Sequence, residues 1–194
     1  MISGYYGFAN AGDEAMLTAI IESLRQVEKN VELTVLSGNP EDTAAKHQVC
    51  SVYRFNPLGI IRAMKDSELI ISGGGSLLQD VTSKRSLLYY LSIIGLGKFF
   101  GKKVMLFAQG IGPIRAKWAR KLTSLVCNEA DLITVRDSES AAELIEMGVK
   151  PEKITVTADS VLSLNPVTKE CGQYLLQEAG VDLTKPVIGI SVRP

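Results

Sequence analysis

Short runs of β-branched and other apolar residues alternate along the chain with segments whose apolar positions recur every three or four residues. This is the pattern of βαβ units around a parallel sheet. The strands it predicts are Met1 to Ser3, Val31 to Ser37, Val49 to Tyr53, Leu69 to Ser72, Val104 to Ala108, Leu132 to Val135 and Ile154 to Thr157. Most carry Val, Ile or Leu at successive positions, so both sheet faces should be covered by helices. Three helical stripes supply that cover: Leu17, Ile20, Ile21, Leu24 and Val27; Trp118, Leu122, Leu125 and Val126; and Ala141, Leu144 and Ile145. A short helix is predicted near Pro57 to Lys65. A longer one runs from Ser83 to Phe100, apolar nearly all round and therefore expected to be buried. The fold class that follows is α/β, a Rossmann-like doubly wound parallel sheet.

After Asp159 the pattern changes. Ser160 to Pro166 reads as a connector, Glu170 to Ala179 as a helix and Pro186 to Val192 as one more buried strand. The first strand is short and the chain stops where a strand-to-helix loop should begin. The expected organisation is a Rossmann-like domain at residues 1–166, with 167–194 as the linker and opening helix and strand of a second, truncated domain.

Composition narrows the function classes. The 194 residues are 46% hydrophobic and 22% charged, which excludes disorder and leaves enough chain for a full core. Lys+Arg and Asp+Glu both number 21, so a general electrostatic grip on nucleic acid or an acidic membrane has no support and any anion site must be local. The three cysteines lack CxxC spacing and His47 is the only histidine, which excludes a disulfide framework, a zinc cluster and a multi-histidine metal site; no metal is expected. By its polar surroundings, His47 is expected in a solvated loop. A signal peptide is not evident, and the longest uncharged run, Ser86 to Gly97, has 12 residues against the roughly 20 of a membrane-spanning helix. A cytoplasmic protein is expected.

In doubly wound sheets ligands sit beyond the carboxyl ends of the strands, and the unusual residues fall there. The first strand leads into Gly4-Tyr5-Tyr6-Gly7-Phe8-Ala9-Asn10-Ala11-Gly12-Asp13-Glu14, where glycines and a helix N-terminus suit close approach to a ligand. The loop lacks the Walker lysine, and Asp13 and Glu14 would repel phosphate; the plainer alternative is that Asn10 or Asp13 caps the helix. Ser72-Gly73-Gly74-Gly75-Ser76-Leu77-Leu78-Gln79-Asp80 follows the fourth strand, and three successive glycines point to close approach to a ligand. Gln109-Gly110-Ile111-Gly112-Pro113 follows the fifth, with Arg115 either near an anion or on a solvated basic helix face. Arg136, after the sixth strand, offers a planar fork to carboxylate or phosphate, or pairs with Asp137 or another carboxylate. Asp159, after the seventh, binds a sugar hydroxyl or forms a turn.

Taken together, Gly4-Tyr5-Tyr6-Gly7-Phe8 with Asn10 and Gly12-Asp13-Glu14, the Ser72 to Asp80 stretch, Ala108 to Pro113, Val135-Arg136-Asp137-Ser138 and Ala158-Asp159 resemble the polysaccharide pyruvyl transferases, most nearly the CsaB type that pyruvylates a bacterial cell-wall polymer. The resemblance implies a GT-B-like architecture of two Rossmann-like domains facing across a cleft. It implies transfer of an enolpyruvyl group from phosphoenolpyruvate onto a sugar of a polyprenyl-diphosphate-linked saccharide, as a pyruvate ketal, at the inner face of the cell membrane. Phosphoenolpyruvate is then a donor substrate and no cofactor is expected; peripheral membrane contact and self-association stay open. Carried onto this sequence, the resemblance makes Arg136 an active-site arginine, while Gly7, Asn10, Gly12, Gly73, Gly74, Gly75, Gln79 and Asp80 line the acceptor side of the cleft. Asp13, Asp80 and Asp159 are candidates for holding or deprotonating sugar hydroxyls, with Gln109 and Gly110 beside them. Ala9 stands where relatives commonly have glycine, and the family's histidine lies beyond this stretch of chain, so His47 does not inherit its role. The competing classes are a nucleotide-sugar glycosyltransferase and a non-catalytic α/β module.

Overall fold

The computed structural model describes residues 1–81 and 83–190. Seven strands, β1 (Ile2–Tyr6), β2 (Thr34–Ser37), β3 (Cys50–Tyr53), β4 (Leu69–Gly73), β5 (Lys103–Gln109), β6 (Leu132–Val135) and β7 (Ile154–Val156), form one sheet in the order β3-β2-β1-β4-β5-β6-β7. Every neighbouring pair is parallel. The helices are α1 (Ala11–Val27), α2 (Pro40–His47), α3 (Pro57–Asp66), α4 (Lys84–Phe99), α5 (Lys117–Glu129), α6 (Ser138–Glu146) and α7 (Lys169–Glu178). The chain separates into two compact units, Met1–Ser163 and Leu164–Pro194, and the whole sheet belongs to the first. Among the described residues, no helix is long and apolar enough to cross a membrane.

Successive strand side chains point to opposite faces, and the core divides accordingly. Val35 and Ile71 pack with Ile2, Leu17 and Ile20 on the α1 side, whereas their neighbours Leu36 and Ile70 pack with Ile60, Leu87 and Ile94 on the other. The strand order reverses between β1 and β4, which opens a crevice at the carboxyl edge between the loops that follow those two strands.

Several expectations are corrected. The first strand runs on to Tyr6: a side chain at Gly4 would meet the Tyr6 ring at 2.3 Å, so Gly4 belongs to the strand and the loop begins at Gly7. Helix α2, absent from the periodicity reading, has Asn39 as cap and Pro40 in its first turn but buries only Thr43, so it shows no apolar stripe. Helix α5 buries Ala119, Thr123 and Cys127; Trp118 and Leu125 face solvent, because small residues let the helix lie close to its neighbours. Val27 and Ile145 are likewise exposed. Helix α4 buries Leu87, Tyr90, Leu91, Ile93 and Ile94 but exposes Leu88, Leu96 and Phe99, so its apolar girdle is only partly covered. Residues 186–190 have no ladder partner and form no strand, and the rest of that predicted strand lies outside the described residues.

Candidate functional site

The loop after β1 is built around its own helix cap. Asn10 Oδ1 accepts the backbone N–H groups of Gly12 and Asp13 at 3.0 and 3.2 Å, and Glu14 Oε1 accepts that of Gly7 at 2.8 Å. The donors that would have met a phosphate at this helix start are thus engaged, in keeping with the two acidic residues of its first turn. His47 is not in a solvated loop. It ends α2 with its side chain only 10% exposed, Nε2 lying 3.8 Å from Glu14 Oε2 and making no hydrogen bond among the described residues.

The two other glycine loops run side by side beyond the sheet. Gly74 donates to the Phe107 carbonyl, Gly110 to that of Gly75 and Gly112 to that of Leu78, with Leu78 and Ile111 forming a parallel bridge. Gly74 and Gly75 take φ of +68° and +73°, which side chains disfavour, and a side chain at Gly74 would press on Met16 of α1. Gln109, fully buried, donates from Nε2 to the Gly75 carbonyl and accepts from Ser72 Oγ, and Tyr6 donates its hydroxyl to the Gly73 carbonyl at 2.7 Å. Burial, with Asp13 nearby, pushes the Tyr6 hydroxyl far above its ordinary pKa, so it serves as a neutral strut. Gly112 leaves room for the Gln79 side chain, whose Cβ would lie 2.6 Å from any side chain there.

Arg136 crosses this loop pair. Its guanidinium lies over the backbone of Gly110, where a Cβ would come within 2.7 Å of Nε and Cζ. Nη2 donates to Ser76 Oγ at 3.2 Å, Nη1 to Asp159 Oδ2 at 3.4 Å, and Nε lies 3.4 Å from Asp137 Oδ2. These contacts are long and about one-third exposed, and they orient the fork between Ser76 and two carboxylates. Asp137 caps α6 through the Ser140 N–H, and Asp159 also accepts from the Val161 N–H. Arg115 is exposed, and the neighbouring Arg120 is occupied by Glu143 and Glu146.

The carboxylates divide by role. Asp13 stands beside Gly75, its Oδ1 3.1 Å from where a Cβ would be, and burial together with Glu14 raises its pKa. A carboxylate shifted upward is a better general base near neutral pH. Asp13 therefore stands beside Gly75 and Arg136 beside Ser76, adjacent residues of one loop. Asp80 is committed elsewhere: its two oxygens accept the backbone N–H groups of Arg115 and Ala116 at 3.0 and 2.9 Å, closing the approach to α5, whose own N-cap Ala116 has no side-chain acceptor. Those two N–H groups hold the Asp80 carboxyl below its usual range. Its stabilising contribution is therefore present above the ordinary carboxylate pKa and lost as pH falls through the lowered one. We expect Asp80→Ala to lower Tm by a few degrees at pH 7 and by less at pH 3; equal deficits at both values, in thermal melts of the two proteins, would remove this role.

The sequence reading did not single out Tyr6 as a strut or Arg54. Arg54 directly follows β3 and is buried among aromatic rings, and the only sequence signal for it was a charge set between Tyr53 and Phe55. Among the described residues, no cluster of three His, Cys, Asp or Glu side chains is placed to hold a metal.

A parallel sheet of this order with its loops gathered at the switch point defines a Rossmann-like α/β protein. The sequence model of one family, described as polysaccharide pyruvyl transferase, matches residues 10–179, and the chain belongs to that family. Comparison with curated proteins gives no match. Among solved structures, Anabaena HepE in complex with UDP-glucose is similar with a TM-score of 0.59 at 13% identity, over 92% of this chain and 49% of that one. HepE in complex with UDP gives 0.58 at 11% identity with the same coverage. The likeness establishes the fold, and the chain spans about half the length of those proteins.

Proposed function

We propose that this chain is the acceptor-side half of a transferase that moves an enolpyruvyl group from phosphoenolpyruvate to a sugar of a lipid-linked cell-wall polysaccharide precursor, as in the CsaB type. The observation that carries the reading is Arg136, held by Ser76, Asp137 and Asp159 over Gly110 at the carboxyl end of β6, in a chain whose family is the pyruvyl transferases. The fork is suited to the donor's carboxylate or phosphate. In the reaction the enol methylene gains a proton, two sugar hydroxyls bond to the central carbon and lose theirs, and phosphate departs as the pyruvate ketal forms. Asp13 is the carboxylate in this chain best suited to accept a hydroxyl proton, by its raised pKa and its place beside Gly75. The reaction then takes place at the cytoplasmic face of the membrane, and no cofactor takes part.

The test is release of phosphate from phosphoenolpyruvate, dependent on a saccharide acceptor, by the full-length protein. Residues 1–194 alone are expected to release none, since their one histidine, His47 at the end of α2, lies outside the motifs that carry the resemblance. Release of UDP from a UDP-sugar in its place would replace this reading with a glycosyltransferase.

A further inference from the structure

Arg54 is only 4% exposed, yet no carboxylate among the described residues forms an ion pair with it. Its Nη2 donates to the Tyr90 hydroxyl at 3.3 Å, while Nε and Nη1 are buried with no hydrogen-bond partner. Five rings surround the guanidinium: Tyr89 at 4.5 Å from Cζ, Phe55 at 5.2, Phe8 at 5.3, Tyr90 at 5.5 and Tyr5 at 5.8. Ring faces compensate part of a buried charge, but they do not accept the two remaining N–H groups. A buried arginine left in this state has N–H donors that an anion would satisfy.

The same arginine lines a cleft of about 320 Å³ between α3 and α4, whose other walls include Phe55, Ile60, Ile61, Ile93 and Leu96. Only Tyr89 and Ser92 add polar atoms to that lining, so a nucleobase would find few of the partners it needs there, whereas an aliphatic chain needs none. Phe55 and Phe8 are 61% and 42% exposed, and an anion reaching the guanidinium requires these rings to turn aside. Arg54 follows β3 and Arg136 follows β6, five strand positions apart in the sheet order, so their backbones are separated by roughly 24 Å.

We propose that Arg54 and the α3–α4 cleft form a binding site for an anionic amphiphile, a phosphate head on the guanidinium with its aliphatic chain along Ile60, Ile61, Ile93 and Leu96. The test is calorimetric titration of the full-length protein with decyl phosphate, decanol and inorganic phosphate, below the micellar concentration. Decyl phosphate is expected to bind at least about tenfold more tightly than either of the others. Arg54→Met should bring decyl phosphate down to the level of decanol, and Leu96→Glu, on the exposed rim of α4, should weaken decyl phosphate about tenfold or more. The site is overturned if wild type binds decyl phosphate no more tightly than decanol, if inorganic phosphate binds as well as decyl phosphate, or if Arg54→Met keeps the discrimination. Should Arg54→Met fail to fold, the wild-type comparison and Leu96→Glu decide. The readout is binding alone, so its failure leaves the pyruvyl transfer reading standing, and loss of that reading leaves this site standing.

Discussion

Arg136→Lys in the full-length enzyme should lower kcat/KM for phosphoenolpyruvate roughly 10- to 150-fold, the effect of losing a charged hydrogen bond worth about 1.5 to 3 kcal/mol. Lysine keeps the charge but not the fork. Stability should change little, because the contacts to Ser76, Asp137 and Asp159 are 3.2 to 3.4 Å long and partly exposed pairs of this kind contribute about 0 to 1 kcal/mol. Gly110→Ala should reproduce the loss from a different residue. Its methyl would overlap the guanidinium, and the free end of a long side chain can move aside at small cost in stability, carrying the fork out of place. The double variant should then lose less than the sum of the two single losses. Unchanged turnover in Arg136→Lys would take Arg136 out of the site, and additive losses would mean that Gly110 acts on something else.

Gly7→Ala should be the most destabilising of the glycine substitutions, by about 3 kcal/mol, which for a domain of this size lowers Tm by roughly 6 to 12 °C. Gly7 takes φ of +77°, and a Cβ would lie 2.1 Å from Ser37 Oγ, 2.5 Å from the Asn39 nitrogen and 2.9 Å from that of Gly38. The obstacle is backbone of the turn into α2, itself pinned because Ser37 Oγ accepts the Asn39 N–H and bonds the Thr43 hydroxyl. Gly95→Ala is the control of opposite sign. Gly95 lies inside α4 with nothing within 4 Å of its added methyl, so alanine should stabilise by up to about 1 kcal/mol. A Tm within a degree of wild type for Gly7→Ala would show that the turn yields.

The parallel sheet was legible because each of its strands is a short apolar run that alternation or continuity marks without help from elsewhere. The glycine loops were legible for a related reason: Gly73 to Gly75 and Gly110 stand at strand ends, and strand ends in this topology share one edge. Legibility failed where a residue's surroundings come from distant chain. Trp118 and Leu125 fit an apolar stripe, yet close packing of Ala119, Thr123 and Cys127 turned them to solvent. Asp80 read as a cleft carboxylate, yet both its oxygens are held by backbone 35 and 36 residues further on.

By itself, then, the sequence determined the α/β class, the positions of the strand-end loops and the candidate status of Arg136, since periodicity, glycine spacing and strand boundaries are properties of neighbouring residues. Only the tertiary structure decided which groups those loops serve. It set Arg136 on Gly110 between Ser76 and Asp159, set His47 beside Glu14, and enclosed Arg54 in rings from β1, its following loop, the residue pair after β3 and α4. The physical reason is that charge, burial and hydrogen-bond supply at a side chain are fixed by whichever atoms surround it in space, and in a doubly wound sheet those atoms come from strands far apart in the chain.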